Sequence, residues 1–522
     1  MNRLMLIPYP KHVELNDGSL DCRRVKLVGD GCFAAKDFID YITGLGYCAA
    51  DDGVAIRYSL NPALALDKEG YTIDIKEDGI DISACSEAGI RYALCSLRQL
   101  MHNYAGVLPL CRIDDEPYLK YRGMLLDSGR YYYPKQDVLK LIDLCYYHKL
   151  NVLHWHLTED QGWRIQIDKY PLLTEKGSRR SHTNFGIRSH GGYYTKQDAR
   201  EIIRYANDRG VEVIPEIDLP GHTQSALACY PYLGCFGRKL NVATHWGVKH
   251  DVLCAGKEST YEFVFDVLGE IIELFGGNTK YIHIGGDEVF RHRWSFCPHC
   301  QATIEKEGLK DEQELQAHFM SRVCDYVAGK GYIPVVWNGI DCDKRVHESA
   351  VWQYWSDEQG GSDELVRKFA GESGGYINSN SEYAYIDFPY GTTSLKKSYA
   401  FDPMPSGLPE DKLVGAELTL WTEYVPNFKT ACVRLLPRTC ALSEAMWLKG
   451  DKDYAEFERR LVPVARYLRR EGYKVSPMRV ANPCGLRGAL QKAWFGRRVL
   501  HWQGLHNLID DASVERKYKR KR

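Results

Sequence analysis

Eight strand-like segments alternate with amphipathic helical segments between residues 120 and 450, and this alternation restricts the fold more than any other feature. The segments predicted as strands are residues 122–127, 151–157, 211–217, 280–285, 332–337, 349–354, 375–380 and 413–421. Apolar residues recur with helical spacing between them, over 136–148, 197–208, 261–275 and 313–330. Eight such repeats predict an α/β fold, a (β/α)8 TIM barrel.

A doubly wound parallel sheet is the alternative that also alternates strands with helices. That fold binds nucleotides through a glycine-rich loop after its first strand. No such loop follows residues 122–127, so the barrel is favoured. Because the catalytic groups of a TIM barrel lie at the C-terminal ends of its strands, residues at those ends are the first candidates for function.

Two further regions flank the predicted barrel, which spans residues 118–450. Residues 1–115 predict a small α+β domain, because apolar and polar residues alternate at 70–75 and 79–83 as in a hairpin, and residues 88–100 have helical spacing. Residues 451–522 predict a helical segment that ends in a basic tail, which is typical of a solvated chain end.

The composition argues against nucleic-acid binding and against membrane insertion. The formal net charge is −1 at pH 7, so no global charge attracts nucleic acid. No apolar run has the length of a membrane helix. The first residues lack an apolar export signal, and the 17 cysteines have no disulfide-framework spacing. We therefore expect a cytoplasmic protein with no nucleic-acid or membrane partner.

Two adjacent carboxylates, Asp287 and Glu288, follow the fourth predicted strand in the run His283-Ile-Gly-Gly-Asp-Glu. Consecutive strand residues point to opposite faces, so both acids reach one cleft only if the backbone turns at Gly285 and Gly286. Neighbouring carboxylates repel, so one tends to keep its proton near neutral pH. A solvated acidic loop is the alternative, but the position at a barrel strand end favours a catalytic pair.

Histidines, arginines, acids and aromatic residues mark the other predicted strand ends. The candidates are Arg122, Asp127, Arg130, His154, His156, Glu159, Asp160, Asp218, His222, Trp337, Trp355, Tyr385, Asp387, Trp421 and Glu423. Three tryptophans at one end of a barrel predict an aromatic-walled pocket. His154 and His156 share one strand face, and we interpret them as core histidines because no third metal ligand has useful spacing. A structural Asp127–Arg130 pair is as good an interpretation as a functional one.

One closely spaced cysteine pair, Cys297 and Cys300, lies beside His292 and His299 after the fourth strand. Structural zinc needs a second pair of ligands at matching spacing, and none is evident. We therefore interpret the pair as free thiols, and the sequence predicts no metal site and no cofactor.

The strand-end motifs together resemble those of glycoside hydrolase family 20, the β-N-acetylhexosaminidases. Residues 283–288 are similar to the family signature, and residues 122–127, 154–163, 215–222 and 420–423 resemble further motifs in the same order. The resemblance extends from about residue 5 to 473, and the first domain is similar to the α/β domain that precedes the barrel in this family.

The resemblance implies an exo-acting, retaining hydrolase of terminal β-linked GlcNAc or GalNAc, in which the acetamido oxygen of the substrate is the nucleophile. Glu288 would be the general acid and base, with a pKa raised by its neighbour, and Asp287 would orient the acetamido group. The implied substrate-binding residues are Arg122, Trp337, Trp355, Tyr385, Asp387, Trp421 and Glu423. The implied supporting residues are His222, Glu159, Asp160, Asp218 and His283.

Three features depart from the family pattern. Glu159-Asp160 stands where Asp-Asp is usual, so either acid could pair with His222. Asn338-Gly339 follows Trp337 where many members have an acidic pair, and the residues after about 475 match no part of the family. Two other functions stay open: a family 20 enzyme that releases disaccharides or prefers sulfated sugars, and a non-catalytic carbohydrate-binding protein. The presence of both Asp287 and Glu288 argues against the second.

Overall fold

The structure is a computed structural model that describes residues 3–29, 32–340, 346–356, 374–404, 408–450 and 452–499, and positions 514 and 517. The basic tail that is predicted to end the segment 451–522 lies outside the described residues except for Lys517.

The first unit is a seven-stranded mixed sheet that packs against two helices. Its strands are β1 (His12–Asp21), β2 (Arg24–Val28), β3 (Cys48–Ala49), β4 (Val54–Leu60), β5 (Tyr71–Lys76), β6 (Gly79–Ala84) and β7 (Val107–Asp115), in the sheet order β1-β7-β5-β6-β4-β2-β3. Its helices are α1 (Phe33–Gly44) and α2 (Glu87–Asn103). The predicted hairpin is the antiparallel pair β5–β6. The predicted helix is α2, whose N-cap Ser86 accepts a hydrogen bond from the amide of Ala88.

Eight parallel strands then close into a barrel, which confirms the predicted fold class. The barrel strands are β8 (Tyr121–Asp127), β9 (Val152–His156), β14 (Glu212–Leu219), β15 (Tyr281–Gly285), β16 (Ile333–Trp337), β17 (Val351–Tyr354), β18 (Gly375–Asn378) and β19 (Leu413–Leu420). Two short ribbons precede β14, formed by β10 (Thr158–Glu159) with β11 (Gly162–Trp163) and by β12 (Arg179–Arg180) with β13 (His190–Gly191). Each predicted strand agrees with the observed one to within two residues.

Helices follow the barrel strands and continue beyond the last of them. They are α3 (Lys135–Tyr147), α4 (Leu172–Glu175), α5 (Lys196–Asp208), α6 (Gln224–Cys229), α7 (Glu258–Phe275), α8 (Pro298–Glu307), α9 (Glu312–Gly329), α10 (Ser381–Ala384), α11 (Leu395–Tyr399), α12 (Phe428–Leu435), α13 (Arg438–Trp447), α14 (Tyr454–Arg470), α15 (Met478–Ala481) and α16 (Gly485–Val499). Single 3-10 turns occur at Pro231–Leu233, Arg291–Phe296 and Glu410–Lys412. Among the described helices, none combines the length and apolar character that a membrane span requires.

The barrel interior changes from apolar to polar along its axis. The apolar end, towards the strand N-termini, consists of Tyr121, Val152, Ile214, Tyr281, Val335, Val351 and Ile377. Beyond it, the buried carboxylate of Glu417 accepts hydrogen bonds from the Tyr121 hydroxyl at 2.6 Å and from the Gln353 amide at 2.6 Å. His154 Nδ1 lies 2.9 Å from the same carboxylate. This polar layer links four strands just below their functional ends.

One buried ion pair joins the first unit to the barrel. Asp115, the last residue of β7, accepts hydrogen bonds from Lys149 Nζ at 3.0 Å, from the Tyr71 hydroxyl at 2.6 Å and from Trp447 Nε1 at 2.9 Å. The side chains of Asp115 and Lys149 are at most 1% exposed. A buried pair of this kind adds little net stability when intact, but loss of one partner leaves an uncompensated charge.

Replacement Asp115→Ala is therefore expected to lower the free energy of unfolding by about 3–5 kcal/mol, because Lys149 would stay buried without its counter-charge. Asp114 supplies a matched control, since its partly exposed side chain pairs with an exposed Arg112. Asp114→Ala should change the free energy of unfolding by less than about 1 kcal/mol. Urea unfolding measures both variants, and equal effects would contradict a special role for the buried pair.

Candidate active site

Asp287 and Glu288 lie in a left-handed turn directly after β15. The φ angles are +71° at Gly285, +114° at Gly286 and +50° at Glu288. A Cβ atom on Gly285 would lie 1.8 Å from Oδ1 of Asp218, so only glycine fits. A positive φ at a glutamate costs energy and is characteristic of functional positions. The turn predicted at the two glycines is present, and it brings both acids to the C-terminal end of the barrel.

His222 connects Glu288 to the two acids that follow β9. Its Nε2 lies 3.5 Å from Oε2 of Glu288. Its Nδ1 lies 3.2 Å from Oε2 of Glu159 and 3.6 Å from Oδ2 of Asp160. Both predicted partners therefore face the imidazole, and Glu159 is the closer. His222 also has a positive φ, of +53°, so strained backbone holds both ends of this contact.

The charges around Glu288 favour its ionised form. Burial raises the pKa of Glu288, but the contact with His222 and the charges of His222 and Arg130 outweigh burial and hold the pKa below its usual value. Burial lowers the pKa of His222, but Glu159 and Asp218 raise it well above its usual value. The expectation of a raised pKa for Glu288 is therefore wrong for the ligand-free protein, because a charged imidazole faces the carboxylate.

Asp287 has the raised pKa instead. Burial, with the charges of Glu288 and Glu216, raises the pKa of Asp287 to about 7 despite the opposing charge of His222. Asp218 lies beside it, and burial together with the charge of Asp287 raises the pKa of that carboxyl well above its usual value. Within the part of the chain that the structure describes, Oδ1 of Asp287 has no hydrogen-bond partner. Asp287 thus presents a buried oxygen that a ligand N–H could satisfy.

Four aromatic rings lie in a continuous row beside these acids, where the sequence predicts an aromatic-walled pocket. The ring centroids are 5.7 Å apart for Trp337 and Trp421, 6.2 Å for Trp421 and Tyr385, and 6.3 Å for Tyr385 and Trp355. Burial, with Asp287 nearby, raises the pKa of the Tyr385 hydroxyl well above its usual value. Tyr385 therefore keeps its proton and is a hydrogen-bond donor in the pocket.

Glu216 fixes the innermost tryptophan of this wall. Trp337 Nε1 donates a hydrogen bond to Glu216 at 2.7 Å. His154 Nε2 lies 3.0 Å from the same carboxylate, His283 Nδ1 lies 3.2 Å from it, and His156 Nδ1 makes a short hydrogen bond to it. His154 and His156 are thus core histidines, as predicted. His283 supports the site indirectly, because its Nδ1 accepts a hydrogen bond from the amide of Gly285 at 3.1 Å.

Arg122 does not reach the site, so the sugar-binding role predicted for it is wrong. It lies at the start of β8, at the opposite end of the barrel, and is fully buried. Its guanidinium donates to Glu69 at 2.7 Å, to the carbonyl of Leu119 at 2.6 Å and to the carbonyl of Lys149 at 2.8 Å. These partners surround the guanidinium group, so the role of Arg122 is structural.

Arg130 is the arginine at the functional end of the barrel. Its Nη2 lies 2.6 Å from Glu159, its Nε lies 4.0 Å from Glu423, and its guanidinium carbon lies 5.0 Å from the ring centre of Trp421. The position in the strand could have identified it, since Arg130 follows the last residue of β8 whereas Arg122 is near the first.

Two further acids lie at the same end of the barrel. Burial, with the charge of Glu423, raises the pKa of Asp387 to about 8. Burial likewise raises the pKa of Glu423. No described residue bonds to Oδ1 of Asp387. Both groups can therefore exchange hydrogen bonds with ligand hydroxyls, as the sequence predicts.

Cys297 and Cys300 are free cysteines, as predicted, but the expectation that no second pair of possible ligands accompanies them is wrong. Cys235 and Cys254, in the long loop after β14, face them, and the four Sγ atoms lie within 4.8 Å of one another. The second pair escapes sequence inspection because its members are widely and irregularly spaced, unlike the compact 297–300 motif.

Both units of the chain match known family profiles. Residues 119–450 match the catalytic domain of glycosyl hydrolase family 20, and residues 3–116 match domain 2 of the same family.

Related proteins and solved structures agree with these matches. A β-hexosaminidase of Porphyromonas gingivalis is 38% identical over 430 residues, which cover 78% of this chain but only 55% of that protein. The rat β-hexosaminidase subunit alpha is 31% identical over 79% of this chain and 77% of its own length. The structure of an exo β-N-acetylglucosaminidase from Vibrio harveyi with N-acetylglucosamine aligns with a TM-score of 0.80 at 28% identity, covering 92% of this chain and 80% of that one. A mutant β-hexosaminidase of Streptomyces plicatus with its product GlcNAc aligns with a TM-score of 0.78 at 30% identity, over 91% and 97%.

Replacement Asp287→Asn is expected to stabilise the ligand-free protein at pH 8. The pKa of Asp287 in the fold, about 7, is above its ordinary value of 3.8, so its ionisation costs free energy in the folded state. That cost is absent below about pH 4, grows as the pH rises to about 7, and is then constant. At 1.36 kcal/mol per pKa unit the variant gains at most about 4 kcal/mol.

Unfolding measured from pH 4 to pH 8 tests this, with the fully exposed Asp51→Asn as the control. A stability difference between Asp287→Asn and wild type that does not change with pH would contradict the raised pKa.

Proposed function

The chain belongs to glycosyl hydrolase family 20, and on that premise we propose that it removes terminal, non-reducing β-linked N-acetylhexosamine residues from glycans with retention of configuration. The observation that carries the proposal is the contrast between two adjacent acids. Asp287 has a raised pKa and an oxygen to which no described residue bonds, whereas Glu288 faces a charged His222. Paired carboxyl groups with different pKa values are typical of active sites in which the two acids have different catalytic roles.

In the first step the acetamido oxygen of the substrate attacks the anomeric carbon. The bond from that carbon to the leaving oxygen breaks, and Glu288 gives its proton to the leaving oxygen. The product of this step is a cyclic oxazolinium ion on the sugar, so no protein atom becomes covalently bound. Holding an internal nucleophile close to its target contributes about 7–11 kcal/mol in effective-molarity terms.

In the second step water attacks the same carbon from the face that the leaving group vacated. Glu288, now ionised, accepts a proton from the water, and the bond between the carbon and the acetamido oxygen breaks. Two inversions give net retention. The left-handed backbone at Glu288 supports this double role, because it directs the side chain into the cleft for both proton transfers.

The proton for the first step comes from the pair that Glu288 forms with His222. In the ligand-free protein the imidazole holds it, since Glu159 and Asp160 face the other ring nitrogen. The side chain of Glu288 is 31% exposed, so a bound substrate excludes water from it. Desolvation raises the pKa of a carboxyl group, and we propose that it transfers the proton from His222 to Glu288.

Asp287 and Tyr385 orient the nucleophile. Asp287 accepts a hydrogen bond from the acetamido N–H and stabilises the positive charge that develops on that nitrogen. Tyr385, which keeps its proton, donates to the acetamido oxygen. Trp337, Trp355 and Trp421 enclose the acetamido methyl and the apolar face of the ring.

Arg130, Asp387 and Glu423 suit the remaining hydroxyls of a terminal sugar. Arginine offers a rigid fork of donors, and the two acids offer acceptors. Groups that bind the non-reducing-end hydroxyls favour exo action, because a further sugar at that position would displace them. The Vibrio harveyi and Streptomyces plicatus proteins, whose structures contain N-acetylglucosamine, support this substrate class.

Replacement Glu288→Gln tests the proton-transfer role through its dependence on the leaving group. We expect kcat/KM for a phenyl β-GlcNAc glycoside to fall by about 10²–10⁴-fold, because its leaving oxygen needs a proton. For the dinitrophenyl glycoside, whose leaving group needs none, the loss in kcat/KM should be much smaller. Asp287→Asn should reduce kcat/KM for both substrates alike, since both need the same nucleophile.

The exposed Glu382→Gln on α10 is a control that should retain full activity. Equal losses for both leaving groups in Glu288→Gln, or unchanged hydrolysis, would rule out Glu288 as the acid.

A further inference from the structure

Four cysteine sulfurs form a compact cluster in the two loops that follow β14 and β15. Cys254 Sγ lies 3.6 Å from Cys297 Sγ and 3.6 Å from Cys300 Sγ, and Cys235 Sγ lies 4.0 Å from Cys300 Sγ. All four Sγ atoms lie within 4.8 Å of one another. Cys254, Cys297 and Cys300 are fully buried, and Cys235 is partly buried.

These distances fit a tetrahedral metal site and do not fit disulfides. A disulfide bond holds its sulfurs about 2.05 Å apart. Four thiolates bound to zinc at about 2.3 Å occupy the corners of a tetrahedron with edges of about 3.8 Å. The three Sγ–Sγ distances of 3.6, 3.6 and 4.0 Å lie on both sides of that edge length.

The backbone around the cluster favours negative charge on the sulfurs and holds the two loops close together. Cys297 is the N-cap of α8, Pro298 is its first residue and Cys300 lies in its first turn, so the helix dipole favours negative charge on both sulfurs. The opposite loop approaches closely: a Cβ atom on Gly256 would lie 2.2 Å from the carbonyl carbon of His299. Trp294 Nε1 also donates to the carbonyl of Leu253 at 3.0 Å, beside Cys254.

We propose that Cys235, Cys254, Cys297 and Cys300 bind one Zn²⁺ ion as a structural site. Four thiolate ligands fill the tetrahedron and leave no position for water or substrate, so the ion has no part in the chemistry. Sulfur-only tetrahedral sites select zinc or iron among the common metals. Zinc, which has no redox chemistry, suits a purely structural role.

The zinc ion would tie together the two loops that carry the proton-transfer residues. The loop with Cys235 and Cys254 follows His222, and the loop with Cys297 and Cys300 follows Glu288. The contact between His222 and Glu288 depends on the relative position of these loops. The hydrogen bond from Trp294 to Leu253 and an ion pair between Arg293 and Asp251 also join them. The site is therefore expected to stabilise the strained turns from outside the pocket.

Metal analysis of the full-length protein, purified without chelators, tests the assignment. We expect one zinc ion per chain in wild type and loss of that zinc in Cys297→Ser and Cys254→Ser. Cys324→Ser is the matched control, because Cys324 is fully buried in α9 outside the cluster and its loss should leave the zinc content unchanged. Iron instead of zinc, or no bound metal in wild type, would overturn the assignment.

Two measurements on wild type keep the test decisive if the variants fail to fold. Exchange of the ion for Co²⁺ should produce the intense thiolate-to-cobalt absorption of a tetrahedral sulfur site. Thiol titration in denaturant with chelator should find all 17 cysteines reduced. Absence of the cobalt absorption would contradict the site. A titration two or four thiols short would also contradict it if peptide mapping placed the disulfide bonds among the four clustered cysteines.

Release of zinc should also have a thermodynamic signature that is independent of catalysis. Treatment with a mercurial and a chelator is expected to lower the unfolding temperature of wild type, and added Zn²⁺ with excess thiol should restore it, because binding to the folded state alone stabilises that state. The same treatment of Cys297→Ser should cause no further decrease. An identical unfolding temperature for metal-free and zinc-loaded wild type would overturn the structural role.

Discussion

The buried carboxylate of Glu216 is the group on which the arrangement of the site depends. It bonds to Trp337 on β16 and contacts His154, His156 and His283 on β9 and β15, so four neighbouring strands meet at one charge. Burial raises its pKa, but the imidazoles outweigh burial and hold the pKa well below its usual value. Asp218 follows on the same strand and lies beneath the catalytic turn, where its Oδ1 would be 1.8 Å from a Cβ atom on Gly285.

The two acids of that turn differ because their surroundings differ. Asp287 points inwards, beside Asp218 and Glu216, where burial and like charges raise its pKa. Glu288 faces His222, whose other side is occupied by Glu159 and Asp160. Because the φ angles at Gly285, Gly286 and Glu288 are positive, the side chains of the two adjacent acids point in different directions. The proposed division between orienting the nucleophile and moving the proton follows from this local geometry.

Most of the fold could be predicted from the sequence, because parallel strands buried on both faces are continuous apolar segments. The turn at Gly285 and Gly286 could also be predicted, because glycine readily adopts the positive φ angles that the turn requires. Properties that depend on contacts between distant segments of the chain could not be predicted from the sequence. The charge that His222 places beside Glu288 depends on three separate loops, and the partners of Cys297 come from a long loop with irregular spacing. Arg122 is the second residue of β8 and therefore lies far from the functional end of the barrel, which its place in the strand already indicates.

The central claim is that the acetamido group of the substrate, held by Asp287, is the nucleophile. Aryl β-glycosides with acetyl, fluoroacetyl, difluoroacetyl and trifluoroacetyl groups on the 2-amino nitrogen test it directly, because each fluorine weakens the carbonyl oxygen as a nucleophile while changing its size little. We predict that kcat/KM falls steeply and steadily along the series. A value of kcat/KM that does not change with fluorination would contradict substrate assistance and require a nucleophile from the protein.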